Sequence, residues 1–281
     1  MMNKLLLITT LLVGTSVFQL SYCQDNSACM QDLSIFAEYV KVKNYDAAIE
    51  PWMKVRENCP DLNAAIYTYG ERIIKNNIKN GNSDLVESSK KELIKLYDEW
   101  IQYFPKNKNK SIIGDVIGKK AQALLDYKLA DLKKIYSTFD EAFTKDATSF
   151  TNPKFLYNYF KTLYDLYKSG DNQVSMEMLI NKYEEVSEKF DLETVALAKK
   201  LDVILKKEDE GKPLTSREQR RKRIYNINSK AIGTYLSNLD AIIAKEATCE
   251  NLIPLYKRNF EEFKEDSVWL KRAASRMDSK E

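Results

Sequence analysis

Few side chains in this sequence have the types and spacing that catalysis requires. There is no histidine, which excludes Ser-His-Asp and Cys-His catalysis and removes the commonest transition-metal ligand. Adjacent carboxylates occur at Glu184–Glu185 and at Glu261–Glu262, and such a pair could act as general acid and general base. On an amphipathic helix, however, paired charges usually form a solvated face. We therefore expect neither an enzyme nor a metal or cofactor site.

A dense basic cluster lies in "SREQRRKRIY", residues 216–225. It could bind phosphate, anionic lipid head groups or an acidic partner protein, and a simple solvated helix start is the alternative. The net charge of the whole chain is only +3, so we expect no nucleic-acid partner. The cluster consists of Arg217, Arg220, Arg221, Lys222 and Arg223.

Two cysteines are placed symmetrically about a predicted helical turn. Cys29 lies 15 residues before Asn44, and Cys59 lies 15 residues after it. At a rise of ~1.5 Å per residue, both lie ~22 Å from the turn and level with each other. This predicts a Cys29–Cys59 disulfide if the chain reaches an oxidising compartment. Two separate buried thiols are the alternative, and a zinc site is disfavoured because the cysteines are widely spaced and no histidine is present.

The N-terminus has the features of an export signal. Lys4 precedes the apolar run "LLLITTLLVG", which is too short to span a bilayer as a helix. Ser21 and Cys23 are small residues before Gln24, which predicts a signal peptide over 1–23 and a periplasmic or otherwise exported protein. Alternatively, "LSYC" resembles a bacterial lipobox, although Tyr22 is bulky for that motif. Only if Cys23 were lipidated would we expect membrane contact, at the outer membrane.

Helical patterns cover almost all of the chain after the signal peptide. Glycine and proline number only 8 and 6, which favours long helices, and no alternating strand pattern appears. Short loops between successive helices predict an all-α fold of stacked antiparallel hairpins, an α-solenoid, with an irregular helical bundle as the alternative. The predicted helices are 28–42, 45–58, 62–79, 84–104, 112–128, 131–147, 153–168, 173–190, 192–210, 216–246, 248–264 and 267–280.

One stretch, "NYDAAIEPWMKVRENCPD" at 44–61, resembles the second helix of a tetratricopeptide repeat (TPR). In that family aromatic, small, bulky, apolar and proline positions follow one another at fixed spacing. The small residue lies where helices cross closely, and the proline ends the helix. These positions are occupied here by Tyr45, Ala48, Trp52, Val55 and Pro60.

A second repeat matches the same family at both of its ends. Tyr69 and Gly70 fit its first helix, while Tyr97, Trp100 and Pro105 fit the end of its second helix. The resemblance therefore implies two TPR-like repeats over 24–106. Further degenerate hairpins of the same solenoid would follow over 107–281.

The resemblance implies a scaffold for protein–protein interaction in the bacterial cell envelope. Its concave groove would be lined by the first helix of each repeat and would bind an unidentified protein or peptide. Two alternatives remain open: a lipid-anchored accessory subunit of an outer-membrane export or motility machine, and an enzyme that acts on envelope polymers with a carboxylate pair. The candidate groove residues are Asp32, Glu38, Lys41, Tyr67, Arg72 and Lys75.

The C-terminal hairpin carries a cysteine without an evident partner. Applying the symmetry of the first hairpin to Cys249, about a turn near Glu265, places a partner close to Glu281. The helical pattern also runs on to that residue. We therefore expect the natural chain to continue beyond it.

The close helix crossing assigned to Ala48 can be tested by overpacking. Ala48→Leu should lower the free energy of unfolding by about 1–3 kcal/mol, because the added carbons must displace the neighbouring helix. Chemical denaturation measures this change. A midpoint equal to that of the wild type would show that no helix crosses closely at residue 48.

Overall fold

The computed structural model describes residues 16–265 and 267–278. Within them the fold is all-α, as predicted: there are eleven helices, and the only strands are two residues each. Contacts divide the chain into two compact units, Met1–Lys110 and Ser111–Glu281. No helix of the described residues has the length and apolar character needed to cross a membrane. The elements are α1 (Ser16–Lys41), α2 (Tyr45–Asn58), α3 (Ala65–Asn80), α4 (Ser83–Tyr103), β1 (Lys106–Asn107), β2 (Lys110–Ser111), α5 (Ile113–Asp126), α6 (Leu132–Asp146), α7 (Pro153–Lys168), α8 (Met176–Asp209), α9 (Ser216–Glu246), α10 (Cys249–Phe263) and α11 (Ser267–Asp278).

The first unit consists of two helical hairpins, α1–α2 and α3–α4, joined by contacts of α3 with α2 and α1. Trp52 of α2 makes the central contact between them. Its ring lies so close to Gly70 of α3 that a Cβ there would come within 2.7 Å, and its indole N–H donates to the carbonyl of Ile66 over 2.8 Å. The hairpins are therefore joined by apolar packing and by one buried hydrogen bond.

A buried arginine adds a charged contact between α2 and α4. Arg56 is only 6% exposed, and it forms ion pairs of 2.5 Å with Glu92 and 2.7 Å with Glu99. Its guanidinium also lies 5.2 Å from the ring centroid of Trp52. Because a buried charge is costly unless it is paired, these two glutamates must stay close to α2.

The predicted disulfide is confirmed. Cys29 of α1 is bonded to Cys59, the residue that follows α2, with their Cα atoms 6.3 Å apart. The bond closes a loop with a sequence separation of 30 residues and joins the two helices at the end opposite to their turn. It therefore restricts the unfolded chain as well as fixing this hairpin.

The residues assigned to repeat packing lie in or beside this core. Ala48, Trp52, Val55, Gly70, Tyr97 and Trp100 are buried, whereas Tyr45, Pro60, Tyr69 and Pro105 are partly exposed.

The second unit is built around an aromatic core. Phe150, which follows α6, is fully buried, and its ring packs edge-on against Phe139, Phe143 and Tyr159. A Cβ on Gly118 of α5 would come within 2.9 Å of the Phe150 ring. The glycine therefore allows α5 to approach this core more closely than any other residue would.

Several boundaries differ from the sequence prediction. The helices predicted at 173–190 and 192–210 are one continuous helix, α8, because no glycine or proline interrupts it before Gly211. At Gly211 a positive φ of 71° ends the helix. A two-stranded ribbon, β1–β2, lies between the helices predicted at 84–104 and 112–128. Most of the predicted signal peptide lies outside the described residues, although 16–23 form the start of α1. The side chain of Cys23 and the chain around Glu281 also lie outside them.

The close approach at Gly70 has a matched control on α9. Gly70→Ala should lower the free energy of unfolding by about 1–3 kcal/mol, because the methyl group must displace the Trp52 ring. Gly233 lies within α9 with no atom near its potential Cβ, so Gly233→Ala should raise stability by about 1 kcal/mol. Denaturant titration of both variants measures this difference. Equal effects of the two substitutions would contradict the role given to Gly70.

Candidate functional site

A charged cleft of about 420 Å³ lies in the second unit. The first half of α8 forms one side of the cleft, and residues of α10 and α11 form the other side. Four glutamates line it, together with two arginines and two aromatic rings. The lining residues are Glu177, Asn181, Glu184, Glu185, Glu188, Arg258, Asn259, Phe263, Trp269 and Arg272.

The periodicity of α8 determines which of its side chains reach the cleft. Glu177, Asn181, Glu184 and Glu188 are spaced i, i+4, i+7 and i+11, which places them on one face of a helix. The opposite face is buried and apolar and includes Tyr183 and other core residues. Burial of this apolar face therefore fixes the direction in which the glutamates on the other face point.

Aromatic packing shapes the other side of the cleft. Trp269 of α11 is 5% exposed and stacks on Phe263 of α10 with ring centroids 5.5 Å apart. Tyr256 packs edge-on against the same indole, at 5.6 Å. These contacts join α10 to α11, so that α11 supplies an apolar wall facing the glutamates.

The lining of the cleft carries more carboxylates than guanidinium groups. Arg258 pairs with Glu177 at 2.7 Å, and Arg272 lies 3.5 Å from Asp191 at one edge. Both arginines that line the cleft thus already have a carboxylate neighbour. With four carboxylates and two guanidinium groups, the lining is net negative and is therefore suited to a cationic group.

A partly buried polar cluster positions Glu185 in the lining of this cleft. Lys182, one turn before it on α8, donates to its carboxylate and to the hydroxyl oxygen of Tyr159. The Tyr159 hydroxyl in turn donates to Asp140 of α6. Tyr136 stacks on the Tyr159 ring with centroids 5.6 Å apart.

Burial sets the protonation of this cluster. Desolvation, followed by the hydrogen bond to Asp140, raises the pKa of Tyr159. Desolvation also raises the pKa of Tyr136. Both phenols therefore stay neutral at physiological pH and act as hydrogen-bonding groups rather than as bases.

Most of the predicted groove residues of the first unit are accessible. Asp32 is partly exposed, while Glu38, Lys41, Arg72 and Lys75 are exposed. Lys41 pairs with Glu38 at 2.6 Å, and the Arg72 guanidinium lies 5.0 Å from the ring centroid of Tyr69. The structure thus places them on the surfaces of α1 and α3 without gathering them into an enclosed site.

Tyr67 is a correction, because it cannot line a groove. Its side chain is fully buried, and its hydroxyl donates to the carbonyl of Pro60 over 2.9 Å. Its ring stacks with those of Trp100 and Tyr103, at 6.4 and 6.3 Å. Desolvation raises its pKa. Tyr67 is a core residue of the second hairpin.

The predicted basic cluster occupies the first two turns of α9. Lys222 is partly exposed and pairs with Glu208 of α8. The four arginines, Arg217, Arg220, Arg221 and Arg223, are exposed. The structure gives none of these arginines a carboxylate partner among the residues it describes.

Sequence reasoning noticed Glu184 and Glu185 but missed the cleft around them. The polar face of α8 could have been recognised from its helical spacing. The other wall could not, because Arg258 and Trp269 come from helices that follow more than 60 residues later. No three His, Cys, Asp or Glu side chains of the described residues are placed to hold a metal ion.

Comparison with known proteins adds no identity. The chain matches no protein-family model, no curated protein and no solved structure at a significant level.

The Lys182 cluster gives a prediction about stability. Lys182→Met should lower the free energy of unfolding by about 1–2 kcal/mol, because it removes the cation that Asp140 and Glu185 share, while both carboxylates keep partial contact with water. Lys206→Met is the control, since Lys206 pairs with Asp202 on an exposed surface and should change stability by less than about 1 kcal/mol. Denaturant titration compares them, and a Lys182 variant as stable as the control would refute this role.

The start of α9 should respond to acid. The hydrogen bond from Lys207, followed by those from the N–H and hydroxyl of Thr215, lowers the pKa of Glu218 from 4.5 to about 2. Since the folded pKa lies below the unfolded one, this contribution to stability is complete above pH 4.5 and is lost as the pH falls towards 2. NMR titration of the carboxyl group and amide exchange in the first turn measure it. Glu218→Gln should remove this pH dependence, whereas titration of Glu218 near 4.5 would contradict it.

Proposed function

We infer that this protein is a non-catalytic, TPR-like scaffold of the bacterial envelope that binds a segment of a partner protein. The observation that carries this proposal is the cleft formed by α8, α10 and α11. There, helices distant in sequence bring charged and aromatic side chains together. Neighbouring helical pairs are also the packing expected of repeat scaffolds. In such proteins the surface between helices binds ligand, while each helix contributes only a few side chains.

The chemistry of the cleft indicates the kind of segment it would bind. Glu188 is exposed and lines the same cleft as Phe263 and Trp269. A lysine or arginine next to an apolar residue would satisfy both sides at once. A volume of about 420 Å³ suits a few side chains rather than a whole domain. We therefore propose a short basic and apolar peptide segment as ligand.

An exported location fits the Cys29–Cys59 disulfide, because such bonds persist mainly in oxidising compartments. This supports the signal-peptide interpretation of 1–23. The first-unit surface formed by Asp32, Glu38 and Arg72 stays a prediction for additional contact with the partner.

An enzyme that uses a carboxylate pair is the second candidate. It is favoured by the presence of Glu184 and Glu185 in one cleft. Consecutive helical residues, however, project about 100° apart, and Glu185 is engaged by Lys182. This geometry suits binding better than it suits a facing acid and base.

Peptide binding tests the proposal directly. Synthetic peptides that present a lysine or arginine beside leucine or phenylalanine would be titrated by fluorescence anisotropy, with acidic peptides as negative probes. We expect Glu188→Gln to weaken the best binder about five-fold, since it removes an exposed charge from the lining of the cleft. Glu250→Gln removes the same charge from an exposed position outside the lining and should leave affinity unchanged.

Two results would overturn the proposal. One is equal binding by the cleft variant and the control, and the other is the absence of binding by every basic peptide. Hydrolysis of a bound peptide or glycan that stops in Glu184→Gln would instead favour the enzyme.

A further inference from the structure

The far half of the α8–α9 hairpin buries very little. Between residues 191 and 231, Ile204 is the only buried side chain, although both helices continue without a break to the turn at 210–215. Apolar side chains on this half face solvent instead. The exposed ones are Leu192 at 58%, Val195 at 52%, Val203 at 70%, Leu205 at 38%, Ile224 at 46% and Ile227 at 54%.

Ion pairs between α8 and α9 neutralise only part of the charge on this half of the hairpin. Lys207 pairs with Glu218 at 2.8 Å, and Lys222 pairs with Glu208. Arg217, Arg220 and Arg223 have no such partner among the described residues. They remain available to an anion from outside the chain.

The position of these arginines is unfavourable for the helix itself. The first turns of a helix carry the positive end of its macrodipole, where acidic residues stabilise and cations do not. α9 nevertheless has only Glu218 as an acidic residue in its first turn, followed by the arginines. Of the arginines only Arg217 lies in that first turn, and an anion from outside the chain would compensate it.

Apolar and basic residues alternate on the outer face of α9. Arg220, Arg223, Ile224 and Ile227 are spaced i, i+3, i+4 and i+7 and so share one face. The residues that pack towards the interior, including Ile232, lie on the other side of the helix. This arrangement places two isoleucines next to two guanidinium groups on an exposed surface.

We propose that this face docks onto an anionic lipid surface. The arginines would contact lipid phosphates, while Ile224 and Ile227 enter the boundary between head groups and acyl chains. This extends the scaffold proposal and does not depend on it, because the cleft contributes no residue. It also departs from the expectation that membrane contact requires a lipid on Cys23.

The same features disfavour the other occupants. A second copy of the chain would bring a like-charged face and would be repelled. An acidic protein would pair with the arginines but would leave Ile224 and Ile227 without an apolar partner. An anionic membrane surface accommodates both the arginines and the isoleucines.

Vesicle sedimentation of the full chain tests this docking. We expect binding to phosphatidylcholine vesicles that contain phosphatidylglycerol, little binding to pure phosphatidylcholine, and weakening by salt. Arg220→Gln/Arg223→Gln should reduce the partition coefficient about 25-fold, about five-fold for each charge. Lys79→Gln/Lys257→Gln removes the same charge from exposed positions elsewhere and should reduce it less than about two-fold. Circular dichroism verifies that each variant is folded.

A fluorescence experiment distinguishes insertion from simple adsorption. The native tryptophans Trp52, Trp100 and Trp269 are buried, so an added indole on the surface reports separately. We expect vesicles with brominated acyl chains to quench the indole fluorescence of Ile227→Trp. The indole of Ile253→Trp, at an exposed position on α10, should keep its fluorescence. Absence of binding to anionic vesicles, or equal loss in both charge variants, would overturn the proposal. Arginine-dependent binding to polyglutamate without vesicle binding would overturn it in favour of an acidic protein.

Discussion

Aromatic rings packed against glycine backbones are the constraint on which both units depend. In the first unit Trp52 lies on Gly70 and joins one hairpin to the next, and in the second unit Phe150 and Phe155 lie on Gly118. Each contact requires a large, flat side chain on one segment and no side chain at all on the helix that it packs against. Dense packing of this kind tolerates little change in volume, so these few pairs determine how closely neighbouring helices can lie.

Polar contacts add direction to this apolar packing. The buried Arg56 requires Glu92 and Glu99 on α4, much as Lys182 requires Asp140 and Glu185 in the second unit. A buried charge is expensive unless it is paired, and so it excludes alternative arrangements of the helices around it. On α8, burial of the apolar face leaves Glu177, Glu184 and Glu188 on the side of the cleft.

The sequence predicts the elements of this protein better than its sites. The bounds of α7 and α9 are correct because Asn152, Pro153 and the Thr215 capping box are strong local signals. The disulfide could be predicted because two cysteines were symmetric about one turn. Tyr67 was misassigned because the exposed and buried faces of α3 depend on where α4 packs. The cleft could not be predicted because helices far apart in sequence form its walls.

The single long helix α8 carries two very different environments. Its first half packs against α7, α9 and α10, whereas beyond Asp191 it buries only Ile204. Because local opening depends on the surface buried nearby, the two halves should not open together. Amide hydrogens near Tyr183 would then exchange only when the unit unfolds, while those near Val203 would exchange by fraying of the turn. An unbroken helix thus joins a rigid base to a tip that can rearrange without disturbing the core.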